Sequence, residues 1–224
     1  MTSEEVLAGL RAEARSTHAE TSSWVAAQLR QQIADGQLAP GAKLAEEALR
    51  EALGVSRNTL REAFATLHAE RVVTRIPNRG VFVSHPTADD IREIYRVRRL
   101  VEPASLLWSP ASPTEPLAAI VREAEKAADA GDVAAMATAN QEFHRALVAR
   151  AGSVRLDSFM EQILAEMRLV FATMGSDPRF HAPYVADNAR IVELLEAGRA
   201  PAAAELMADY LDRAERQLLA AISS

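Results

Sequence analysis

Apolar positions recur at helical spacing in two short runs that flank Gly54-Val55-Ser56. The first run, Ala45 to Leu53, places Leu49 and Leu53 four residues apart. The second, from Ser56 to about Ala69, sets Leu60, Phe64 and Leu67 on one face with Ala63 beside them. Two short amphipathic helices joined by a tight glycine turn predict a helix-turn-helix. Ser56 is placed to cap the second helix, since its hydroxyl can accept a free first-turn N–H. Asn58, Arg61 and Glu62 then point away from the apolar stripe, with Arg57 and Thr59 on its flanks. Arg, Asn and Thr hydrogen-bond phosphates and base edges, although polar residues at a helix start are also often simply solvated.

The period then shortens. Val72 to Ile76 is β-branched and reads as a strand, Pro77-Asn78-Arg79-Gly80 as a turn, and Val81 to Ser84 as a second strand. A hairpin after the second helix makes a winged helix, with Arg79 and Gly80 at the tip facing a backbone or minor groove. Upstream, Thr21 to Asp35 reads as a helix with Trp24, Leu29 and Ile33 as its apolar contacts and Gly36 at its end. Residues 1–20 show no strong stripe and read as an extension. His85-Pro86 marks the boundary, because proline disfavours helix in its predecessor.

From Thr87 the helical period returns and persists. Thr87 with Asp90 gives a capping-box signature, and a helix follows to about Trp108 with Ile91, Ile94, Tyr95, Val101 and Ser105 facing inward. Arg98 and Glu102 fall on this same face. A buried charge needs a partner, which Glu102 or an anionic ligand could supply. Pro103 is expected to kink the helix near Arg99. After a break at Ala111-Ser112-Pro113, helices are expected at Glu115 to Ala130, Asp132 to Ala151, Val154 to Met174, Tyr184 to Ala197 and Pro201 to Ala220. Gly131, Gly152, Gly175 and Gly198 punctuate them. The expected organisation is residues 1–20 as an extension, 21–86 as a winged helix, and 87–224 as an all-helical domain.

Composition sharpens this reading. The chain lacks cysteine, which excludes a disulfide framework and thiolate metal sites. No stretch approaches a membrane span, and charged residues interrupt the N-terminus, so a cytoplasmic protein is expected. The net charge of −6 is unevenly spread. Thr21 to Pro86 holds eight basic and six acidic residues, which leaves −8 for the remainder. A mildly positive module on an acidic body suits a nucleic-acid binder whose body stays off the phosphates. An enzyme is disfavoured, since no nucleophile–base pair and no paired carboxylates emerge, and His144 and Glu142 at i, i+2 do not face each other.

Gly41 to Val83, read through L-G-V-S-R-N-T-L-R-E-A and P-N-R-G-V-F-V, resembles the N-terminal domain of the GntR family of bacterial transcription regulators. The segment from Thr87 resembles the FCD effector domain of its FadR-like branch. The resemblance implies a mainly α protein: an N-terminal winged helix-turn-helix plus a C-terminal all-helical, six-helix bundle of FCD type. It implies a homodimer on double-stranded DNA, each head reading half of an inverted repeat, and a repressor released by a small-molecule effector. Ser56, Arg57, Asn58, Thr59, Arg61, Arg79 and Gly80 would contact DNA. A basic DNA-contacting residue of the branch is replaced here by Glu47.

Metal-binding FCD domains carry an Asp three residues before a Phe-His pair and two later histidines. The positions matching these four ligands hold Asn140, His144, Asn188 and Tyr210. Only His144 remains a good ligand, and no negative donor offsets a dication, so no metal and no cofactor is expected. All four positions sit beside apolar stripes and face inward, so they could instead hydrogen-bond an effector. Arg98, at the family's effector-contacting arginine, would pair with a carboxylate or phosphate, and Arg168 is a further candidate. A core histidine with satisfied hydrogen bonds, and a ligand-independent regulator with a vestigial pocket, are the competing readings.

Overall fold

A computed structural model describes residues 20–33, 37–109, 113–173 and 178–222. The expected extension falls almost wholly outside them, as do Asp35, Gly36, Gly175 and the break at Ala111-Ser112. The chain separates into two compact units between His85 and Pro86.

The first unit opens with α1 (residues 20–33). Val25, Leu29 and Ile33 step along it four residues apart and are buried, with Ala26 beside them. Trp24, expected inside, stands one helical step round from that stripe and is 49% exposed. A short strand follows, β1 (Lys43–Leu44), then α2 (Glu46–Leu53) and α3 (Arg57–Ala69). Gly54 ends α2 at φ +64, a left-handed turn that favours glycine. Ser56 caps α3 as expected, its side chain accepting the Thr59 N–H at 3.1 Å.

The wing is β2 (Val73–Ile76) and β3 (Gly80–Val83), antiparallel, with Val73 opposite Val83 and Ile76 opposite Gly80. The third strand, β1, has no signature in the sequence pattern. It pairs with the other edge of β3, Lys43 opposite Phe82 and Leu44 opposite Val81, giving the order β1-β3-β2. Leu60, Phe64, Leu67, Val73, Val81 and Val83 form the buried floor. Arg30 of α1 grips Glu70 at the end of α3 through two guanidinium nitrogens, at 2.9 and 2.7 Å.

Among the described residues the second unit has six helices: α4 (Ala88–Trp108), α5 (Glu115–Asp129), α6 (Val133–Ala149), α7 (Val154–Thr173), α8 (Pro178–Glu196) and α9 (Ala200–Ile222). The Thr87–Asp90 capping box opens α4, with both reciprocal bonds present. Pro103 lies inside α4, which continues through it. α8 starts six residues before the expected Tyr184. Pro183 reads as a helix boundary, yet the helix runs through it and forgoes one backbone hydrogen bond. Tyr95, Phe143, Leu147, Met167, Ile191 and Met207 bring α4, α6, α7, α8 and α9 onto one core. Arg99 of α4 pairs with Asp212 at 2.6 Å and with Glu215, both on α9.

Candidate functional site

The exposed start of α3 carries the first candidate surface. Arg57 is 75% exposed, and Arg61 is also exposed. Asn58 is exposed and donates to Glu62 Oε1 at 2.8 Å, one turn down the helix. Thr59 departs from expectation. It is buried, on the line of Ala63 and Leu67, and its hydroxyl lies 2.8 Å from Ser56 Oγ. Its side chain therefore supports the cap from inside and is not presented to a nucleic acid.

At the wing, Asn78 and Gly80 take positive φ, +60 and +111. The Arg79 guanidinium lies 5.7 Å from the centroid of the Phe82 ring, which holds it at the hairpin tip. Lys43 of β1 runs beside Gly80, where an added Cβ would come 3.4 Å from its Cε. This places a basic side chain on the wing that sequence spacing does not single out.

Glu47 of α2 bonds Arg50 and stands 3.9 Å from Arg57 Nη2. All three side chains are substantially exposed, so the attraction is weak, but its sign opposes any phosphate that Arg57 would meet. Glu47→Gln is expected to tighten DNA binding about threefold at low salt. Fluorescence anisotropy on a labelled duplex across a salt series checks this.

The second candidate site is a buried polar network in the helical unit. α4 contributes Arg98 and Glu102, α6 Asn140 and His144, α8 Asn188, and α9 Tyr210. Arg98 Nε donates to Glu102 Oε1 at 2.5 Å, and Nη2 lies 3.5 Å from Oε2. His144 Nδ1 meets Glu102 Oε2 at 2.8 Å, and Nε2 lies 3.0 Å from the Tyr210 hydroxyl. Tyr210 donates to Asn140 Oδ1 at 2.8 Å, and Asn188 Nδ2 donates to the same oxygen at 3.0 Å. Asn188 Oδ1 is buried and has no hydrogen-bond partner among the described residues.

Four of the six proposed effector residues thus meet directly, and Arg98 joins them through Glu102. Arg168 is held elsewhere, donating from Nε to Gln141 Oε1 at 2.6 Å. Glu102 is legible in the sequence only as a possible partner of Arg98. That it also holds His144 is not, because residues 102 and 144 lie on different helices.

Burial would push the Glu102 carboxyl up, but Arg98 and then His144 hold it down at about 2. Burial and the Arg98 charge lower His144 below its ordinary 6.5, with Glu102 opposing them. Tyr210 is raised well above 10 by burial. The site therefore holds an ion pair, a neutral imidazole and a neutral phenol near pH 7, and the one phenol proton serves either Asn140 Oδ1 or the unprotonated Nε2 of His144. Both depressed groups contribute stability above their unfolded values and lose it in acid. Melting temperature should fall below pH 6.5 through His144 and His181, and again below about 4.5 through Glu102. His181, which burial lowers to about 4, shares the first step, so His144→Gln should shrink that step without abolishing it and leave the second, as calorimetry across pH would read.

These residues do not fit a divalent metal. His144 is their single imidazole, and both of its nitrogens are engaged. Asn140 Oδ1 already accepts two hydrogen bonds, and Glu102 is committed to Arg98. Among the described residues no group of three His, Cys, Asp or Glu side chains could hold a metal ion. Zinc, nickel or manganese should leave the melting temperature of chelator-treated protein unchanged, and a rise of several degrees would refute this donor set.

Among the described residues no helix is long and apolar enough to cross a membrane. Residues 21–83 match the model of bacterial regulatory proteins of the gntR family, and residues 93–213 match the FCD domain. A solved structure described as a transcriptional regulator GntR from Rhodococcus sp. RHA1 is 41% identical, with 89% of this chain and 98% of that one covered and a TM-score of 0.84. An HTH-type transcriptional regulator from the TAR-I ttuE-ttuC' intergenic region of Agrobacterium vitis is 32% identical over 55% of this chain and 76% of its own length. The gluconate operon transcriptional repressor of Bacillus subtilis is 37% identical over 38% of this chain and 34% of its own length. The chain belongs to the GntR family of bacterial transcription regulators and carries an FCD effector-binding domain.

Proposed function

We propose that the chain is a homodimeric, cytoplasmic repressor that binds an inverted-repeat operator and is released by a small metabolite. On this reading residues 21–86 hold DNA, and residues 87–224 dimerise and hold the effector. Arg57 and Arg61 contact phosphates or guanine edges, Asn58 contacts a base edge, and Arg79 with the Gly80 backbone follows the groove at the wing. The observation that carries it is the exposed Arg57-Asn58-Arg61 face on a capped helix behind a glycine turn. The repressor sign follows the gluconate operon transcriptional repressors to which the chain is similar.

The test is selection of bound duplexes from a random pool, with light scattering for mass. Enrichment of an inverted repeat whose halves lie about one helical turn apart supports the reading. Binding that selects no sequence, or a monomer on a single half-site, overturns it. A catalytic role for the helical unit gains no support from His144, which is buried with both ring nitrogens engaged.

One observation favours a second reading, regulation without a ligand. The polar network satisfies almost all of its own members. A metabolite thermal-shift screen separates the two, since a vestigial pocket stabilises with none of the compounds.

A further inference from the structure

Arg98, Glu102 and His144 are 3%, 0% and 1% exposed. Their arrangement is that of a bound carboxylate and its receptor. One oxygen of Glu102 takes the Arg98 Nε–H at 2.5 Å, and the other meets the imidazole Nδ1 at 2.8 Å. The Tyr95 ring covers the guanidinium, its centroid 4.9 Å from Cζ. A guanidinium and an imidazole converging on two carboxylate oxygens in a water-poor setting is how a protein holds a small organic acid. Here the acid is supplied by the chain itself, one helical turn beyond Arg98.

We propose that Glu102 is a tethered anion that permanently fills this receptor, so that the effector of this regulator is uncharged and is recognised by hydrogen bonds around Asn188. This deepens the effector reading above and rests on it. The ion pair is already neutral, so a second carboxylate would enter a buried place with no positive charge left to meet it. What the network leaves open is an amide group. Asn188 is 2% exposed, and among the described residues its Oδ1 has no partner, a position that calls for a hydroxyl or N–H donor. Polyols and amides carry such groups without a charge.

Chemical rescue tests the tethered anion. Glu102→Ala retains Cβ and removes a fragment with the shape and charge of acetate. The full-length variant is melted in sodium acetate, in sodium chloride at equal ionic strength, and in chloride with acetamide. Acetate should raise the melting temperature of E102A by several degrees and saturably, while acetamide should not. Wild type should show no acetate-specific shift, and R98A/E102A should show no rescue. If E102A is unfolded in chloride, the same rescue is read as helical circular dichroism regained in acetate.

No response to acetate, equal rescue by acetamide, or an acetate shift of similar size in wild type overturns the proposal. For the effector, gluconate and its amide are compared by thermal shift on wild type. Stabilisation by the carboxylate and not by the amide also overturns the proposal, and stabilisation by the amide alone supports it. Retention of a selected duplex by wild type is measured alongside. Its failure defeats the regulator reading and leaves the acetate result standing.

Discussion

Arg98→Met is expected to destabilise the helical unit by about 3–5 kcal/mol, because it leaves Glu102 charged, buried and without its strongest partner. At 0% exposure Glu102 cannot recover that loss from water. His144 Nδ1 remains at 2.8 Å, but a neutral imidazole is a weaker partner than a guanidinium. The double variant R98M/E102M should recover part of the loss, since apolar side chains of similar volume often replace a buried pair at little net change, while His144 Nδ1 is left without its acceptor. Urea denaturation of wild type, both single variants and the double variant gives the coupling directly. A single R98M variant within about 1 kcal/mol of wild type would mean that the pair is solvated in solution.

The second large effect belongs to the DNA-binding unit. Removing Arg57 and Arg61 together takes away two cations per chain, four in the proposed dimer. Good contacts of this kind contribute about 1–3 kcal/mol each, so R57A/R61A should abolish measurable operator retention at physiological salt. The mechanism is distinguishable by its salt dependence. If both arginines meet phosphates, the slope of log K against log salt should shrink by about 0.9 for each phosphate no longer neutralised. Asn58→Ala should instead relax base selectivity and leave that slope unchanged. A double variant that binds like wild type would remove α3 as the reading helix.

What the sequence made legible followed from how local each signal is. The two helices around Gly54, the Ser56 cap, the Thr87–Asp90 box and the six later helices are stated by spacings of three or four residues, and all are present. The strand β1 escaped because two residues cannot display a period. The hydroxyl of Thr59 argues for solvent while its spacing to Ala63 and Leu67 argues for the core, and the spacing wins. The expected start at Tyr184 fell short of the first six residues of α8, which run through Pro183.

The polar network was legible as a set of inward-facing polar positions on apolar helices. Its wiring was not. The bonds from Glu102 to His144 and from Tyr210 to Asn140 span 42 and 70 residues, and no local pattern encodes which of several inward polar groups will meet.

One consequence of α4 is mechanical. The helix begins at Ala88, two residues after Pro86, and carries Arg98 and Glu102 on the same unbroken rod. From Ala88 to Arg98 the rod is roughly 15 Å long at 1.5 Å per residue. The ion pairs of Arg99 with Asp212 and Glu215 clamp it beside that point. Ile91, Ile94 and Tyr95 tie this stretch to the core as well, so it would move with what packs on it: a tilt of about 10° would carry its first turn by roughly 3 Å. A rearrangement around Glu102 would be carried toward residue 88 along continuous helix, with no loop between to absorb it.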